Sequence, residues 1–70
     1  MTVDELVDRI CAAPDLVVSI YSKRGIKFYS GKYIDAPNEL RNRLVYSYEI
    51  THVTEIDYCL YRDGMDIYII

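Results

Sequence analysis

Thr54-Glu55-Ile56-Asp57-Tyr58-Cys59-Leu60-Tyr61-Arg62-Asp63-Gly64-Met65-Asp66-Ile67-Tyr68-Ile69-Ile70 is the stretch whose reading decides the fold. Asp63-Gly64 stands between two apolar runs, and Asp-Gly suits the type I′ turn because both central residues need positive φ. The stretch therefore predicts a β-hairpin with a two-residue loop. That loop sets Arg62 opposite Met65, Tyr61 opposite Asp66, Leu60 opposite Ile67, Cys59 opposite Tyr68 and Tyr58 opposite Ile69. Side chains alternate between faces along a strand. One predicted face holds Ile56, Tyr58, Leu60, Met65, Ile67 and Ile69; the other holds Asp57, Cys59, Tyr61, Asp66, Tyr68 and Ile70. The first is a core face that the rest of the chain must cover, since an isolated hairpin is marginal in water.

The cover comes from the other end of the chain. Thr2-Val3-Asp4-Glu5 is a capping box, in which Thr2 and Glu5 satisfy each other's backbone donors. Val3, Leu6, Val7, Ile10 and Cys11 follow at the spacing of one helical face, and Pro14 stops the pattern. An amphipathic helix over 3–12 is expected, with Cys11 on its buried stripe. Leu16–Tyr21 and Ile26–Ser30 read as a hairpin closed by Lys23-Arg24-Gly25, with Gly25 in the left-handed position of a three-residue loop. That loop pairs Tyr21 with Lys27, Ile20 with Phe28 and Val18 with Ser30.

Asp35-Ala36-Pro37 reads as a helix start, and Asn38–Arg43 has room for one or two turns. Leu40 and Leu44 should point inward, and Arg41 and Arg43 should be solvated. From Leu44 the even positions Leu44, Tyr46, Tyr48 and Ile50 predict a strand with one buried face. A bulge or bend is expected at 51–54. The order is α-β-β-short α-β-β-β. It predicts a single α+β domain over 1–70, two-layered, with the N-terminal helix packed on an antiparallel sheet of five strands or on two packed hairpins. The helix should meet Val18, Ile20, Phe28, Ile50, Ile56, Leu60, Ile67 and Ile69.

Composition bounds the function. The 70 residues are 51% hydrophobic with eight Tyr and three Gly, which argues for a folded domain. No apolar run is long enough to span a bilayer, and the acidic start lacks a signal peptide's basic region, so a cytoplasmic protein with free Cys11 and Cys59 is expected. The net charge of −3 is uneven. Residues 44–70 hold Glu49, Glu55, Asp57, Asp63 and Asp66 against Arg62 alone, a local −4, whereas residues 22–33 hold Lys23, Arg24, Lys27 and Lys32 with no acid.

Enzyme templates fail on inventory. The lone His52 and Cys59 fall on opposite parities, a poor start for a Cys–His pair. Cys11, His52 and Cys59 do not make a zinc set, and the glycines are too scattered for a phosphate loop. Asp57 and Asp66 could approach across the hairpin, where solvated charge is the ordinary reading. No catalytic residue, metal or cofactor is expected. Tyr46, Tyr48 and Tyr58 should rim the core, while Tyr21, Tyr29, Tyr61 and Tyr68 take the opposite face, where tyrosine suits either cross-strand packing or a binding surface.

Tyr29-Ser30-Gly31-Lys32-Tyr33-Ile34-Asp35-Ala36-Pro37-Asn38-Glu39-Leu40, then Val45 and the closing Gly64-Met65-Asp66-Ile67-Tyr68-Ile69, resemble small phage and prophage reading frames. Some small acidic phage proteins of this size are anti-CRISPR inhibitors. The resemblance implies a mobile-element origin and an inhibitor that occludes the nucleic-acid-binding surface of a host CRISPR-type effector. The expected partner is thus a basic protein surface. From parity and charge, the residues expected to meet it are Glu49, Glu55, Asp57, Tyr61, Asp66 and Tyr68. The alternatives are a small nucleic-acid-binding module using Lys23, Arg24, Lys27 and Lys32, or a homo-oligomeric structural phage protein joined through an edge strand.

Overall fold

In a computed structural model that describes all 70 residues, the capping box forms as expected. Thr2 Oγ1 accepts from the Glu5 backbone N–H at 3.2 Å, and Glu5 Oε1 accepts from the Thr2 N–H at 3.0 Å. The helix they start, α1 (Val3–Arg9), is shorter than 3–12. It ends because Cys11 takes a left-handed conformation, φ 56°, three residues before Pro14. Cys11 is therefore exposed and does not join the buried stripe, contrary to expectation.

Four strands follow: β1 (Ala12–Ser22), β2 (Lys27–Lys32), β3 (Val45–Ile56) and β4 (Cys59–Ile69). Between β2 and β3 lie a 3-10 turn (Tyr33–Asp35) and a short helix, α2 (Asn38–Arg41). The fold is α+β, an N-terminal helix with a mixed sheet in the order β2-β1-β4-β3. β1 runs antiparallel to β2 but parallel to β4, so the sheet is not the antiparallel one that the sequence suggested.

The difference traces to one turn. Asp63-Gly64 does not reverse the chain; both residues lie within β4. The reversal is at Asp57-Tyr58, between the paired residues Ile56 and Cys59. The three closing strands expected from the sequence are thus two long ones. This arrangement sets Met65 beside Val18 and Ile67 beside Ile20, in the middle of the sheet. Burying these side chains from both flanks contributes roughly 1.5–3 kcal/mol each, more than a local turn preference supplies.

Ser22 and Ile26 close the β1–β2 loop as expected, with Gly25 at φ 94°. Tyr21 pairs with Lys27, but a bulge then shifts the register, so Ile20 meets Tyr29 and Val18 meets Gly31. Phe28 is the bulged residue and stands exposed instead of facing Ile20.

The core is one cluster of Val3, Leu6, Leu16, Val18, Ile20, Met65, Ile67 and Ile69, against which Tyr33, Leu40, Val45 and Ile50 pack. Asp4 ties the helical segments together. Its carboxylate accepts from Arg41 Nε at 2.9 Å and from the Tyr33 hydroxyl, and the Arg41 guanidinium lies over the Tyr33 ring at 4.9 Å. Arg41 is thus an ion-pair partner and not simply solvated. Leu44, expected to point inward, is exposed; it stands opposite Thr2 in an isolated bridge, and its carbonyl accepts from Ile70 N–H.

Candidate functional site

β3 has twelve residues, whose steps of about 3.3 Å span roughly 36 Å end to end. The molecule measures 36 × 19 × 18 Å, so the β3–β4 hairpin sets its length. β1 pairs with β4 only from Ala12–Arg62 onward. Past that point the hairpin has no neighbour and projects as a two-stranded arm over 53–61. None of the ten buried residues lies in it. Ile56 (44% exposed) and Leu60 (58%) were expected in the core; they are open because no element reaches over the arm.

At the tip, Asp57 and Tyr58 have φ of 51° and 67°, the sign pattern of a type I′ turn without glycine. Asp tolerates this region, but for Tyr it costs on the order of 1 kcal/mol. Tyr58 recovers none of that cost inside the chain, since it is 96% exposed. It was expected at the rim of the core and stands instead farthest from it.

The six residues expected to meet a partner fall into two groups. Glu49 and Asp66 face each other across β3 and β4, and Tyr68 follows on the same side of β4. Glu55, Asp57 and Tyr61 belong to the arm: Glu55 opposite Leu60, Tyr61 opposite Thr54, and Asp57 in the turn. Asp57 and Asp66 do not approach one another. Tyr68 is also less free than expected. Its ring stacks on Tyr21 at 5.1 Å, Lys27 Nζ lies 5.6 Å from the Tyr21 centroid, and Lys23 Nζ lies 5.0 Å from that of Tyr46. This strip crosses the sheet opposite the core, beside a Ser19–Ser30 hydroxyl bond of 3.2 Å.

Between the arm and the sheet, β3 and β4 each carry an extra residue, with register shifts from Ile50 to His52 and from His52 to Val53. A bulge falls at 51–54 as expected, although the strand continues through it. Thr51, His52, Asp63 and Gly64 meet on one side. His52 Nδ1 lies 2.5 Å from Asp63 Oδ1, and a Cβ on Gly64 would come within 2.9 Å of Thr51 Oγ1 and 3.0 Å of His52 Cβ. Gly64 is there for space and not for positive φ, as its φ is not in the left-handed region.

On the opposite side is a groove of about 290 Å³ lined by Arg9, Ile10, Cys11, Tyr48, Ile50 and Arg62. Its residues come from the end of α1 and from both long strands, a grouping with no local sequence signal. Cys11 and Cys59 are free thiols, and no three His, Cys, Asp or Glu side chains are placed to hold a metal ion. The His52 side chain is 70% exposed, with Asp63 as its hydrogen-bond partner. No helix is long and apolar enough to cross a membrane. No family model, curated protein or solved structure matches the chain.

Proposed function

We propose that the chain is a small protein-binding module whose recognition element is the β3–β4 arm, and that its partner is a basic groove on another protein. Tyr58 is the observation that carries this reading. A tyrosine at positive φ, almost wholly exposed at the end of a projecting hairpin, is strained without any internal return. Strain of that kind concentrates at binding sites. Tyrosine is also an efficient anchor, with large contact area and few torsions to freeze.

Charge names the partner's chemistry. The arm carries Glu55 and Asp57 and no base, and Glu49 and Asp66 extend the acidic surface toward the sheet. Such a surface speeds encounter with a Lys/Arg-rich groove, while Tyr58, Tyr61, Ile56 and Leu60 supply apolar area to hold it. An acidic finger two strands wide suits a channel built for nucleic acid. The resemblance to small phage proteins points the same way, to an inhibitor that acts in the host cytoplasm by occupying the nucleic-acid-binding surface of a CRISPR-type effector. No catalytic residue, metal or cofactor enters this reading.

Capture from a host lysate on the immobilised chain tests it when variants are compared. Glu55→Lys with Asp57→Lys should lose the captured partner, and Glu49→Lys with Asp66→Lys should weaken it. Lys23→Glu with Lys27→Glu should leave it unchanged. If the lysine pair alone abolishes capture, and the captured material is nucleic acid released by salt, the basic β1–β2 hairpin is the site.

A further inference from the structure

The groove beside the arm's base has a chemistry that the partner-binding reading does not use. Arg9 and Arg62 both line it, and neither has a carboxylate within ion-pair distance; Arg41 pairs with Asp4, and Asp63 lies against His52 Nδ1. Arg9 is in the last turn of α1, where a cation also complements the helix dipole. Its charge also acts on Glu5 one helical turn back, but no side chain of the protein accepts from its N–H groups.

Arg62 is aimed there by the fold. Asp63 is the extra residue on β4, and a bulge of one residue inverts the alternation beyond it. Without it Arg62 would share the side of Gly64 and Asp66, away from α1. The backbone locks the placement, since Arg62 N–H donates to Cys11 O at 3.1 Å. Cys11 itself is held at φ 56°, the one residue of the groove's lining in the left-handed region. The lining also includes Ile10, Ile50 and Tyr48, so the groove pairs cationic, planar donors with apolar side chains. Its volume of about 290 Å³ is at the small end of organic ligand sites.

We propose that this groove binds a small organic anion, a carboxylate or phosphate monoester with a body no larger than one ring or a short acyl chain. The anion takes the N–H forks of Arg9 and Arg62, a geometry that matches both groups. The body lies on Ile10, Ile50 and Tyr48. The groove shares no residue with the acidic tip of the arm, so the two proposals stand or fall separately.

The two free thiols supply the test, one inside the groove and one on the acidic arm. The natural chain is alkylated with iodoacetate, an anion, and in parallel with neutral iodoacetamide, and modification at each cysteine is followed by mass spectrometry. The ratio of the two rates should be about fivefold or more higher at Cys11 than at Cys59 in low salt, and should converge at about 1 M salt. Arg9→Gln or Arg62→Gln should each reduce the Cys11 ratio, and Arg62→Lys should retain most of it. Phenylacetate and phenyl phosphate at about 10 mM should slow iodoacetamide at Cys11 and not at Cys59. Protection by only one of the two identifies the anion as carboxylate or as phosphate ester. Equal ratios at both cysteines in the natural chain, or no protection by either compound, would overturn the proposal.

Discussion

Asp57 and Tyr58 are the two central residues of the turn between β3 and β4, and both have positive φ, at 51° and 67°. The fold tolerates a tyrosine in a position that suits glycine, and that tyrosine touches almost nothing in its own chain. Tyr58→Gly should therefore stabilise the isolated protein, by up to about 0.6 kcal/mol once glycine's greater unfolded-state entropy is set against the relieved strain. In a domain of this size that is a rise in Tm of up to roughly 5 °C. The same variant should lose partner capture. A lower Tm would mean that Tyr58 supports the fold.

Gly64 makes room where the paired bulges meet. Gly64→Ala should destabilise by about 1–2 kcal/mol, because the new methyl would press on His52 Cβ and Thr51 Oγ1. Combining it with Thr51→Gly should recover part of the loss, measured by urea unfolding. An unchanged midpoint for Gly64→Ala would show that the strands shift freely at this place.

The capping box makes stability depend on acid in a predictable direction. The Glu5 carboxyl is held below its usual range, first by the Thr2 backbone N–H and then by the Thr2 side chain. A carboxyl with a lowered folded value contributes its stability above the unfolded value and loses it as pH falls through the folded one. Thermal melts from pH 6 down to about pH 3 should fall less steeply for Glu5→Gln than for the natural chain. Equal slopes would mean that the capping interaction carries no proton linkage.

What was legible in the sequence was local. The capping box needs residues three apart, and the Lys23-Arg24-Gly25 loop needs one glycine in the right place; both form as read. The apolar and β-branched runs that became Val18, Ile20, Ile67 and Ile69 are buried, as their composition implied. The parallel pairing of β1 with β4 joins residues more than forty positions apart, and no local pattern announces it. Asp63-Gly64 carried the better turn signal, yet Asp57-Tyr58 turns, because only then do Met65 and Ile67 lie against β1. That change also took Ile56, Tyr58 and Leu60 out of the core and made an arm of them. Glu49, Glu55 and Asp57 are exposed and Asp66 is half-buried. The outward parity expected to be shared by Glu49 and Glu55 does not hold. Past the two bulges Glu55 pairs with Leu60 on the side of Arg62, opposite Glu49 and Asp66. A strict two-residue period does not reveal such bulges.

The proposed role of the acidic, tyrosine-tipped arm is to occupy a nucleic-acid-binding groove on a host effector. Its most direct test is binding of guide-loaded CRISPR-type effectors to their labelled target duplex, with the chain added in increasing amounts. The natural chain should prevent duplex binding by at least one such effector when added before the duplex. Tyr58→Gly combined with Asp57→Lys should be inactive although folded, and Lys23→Glu with Lys27→Glu should inhibit fully. Inhibition that survives the arm changes, or that is lost with the lysine changes, would show that the arm is not the inhibitory element.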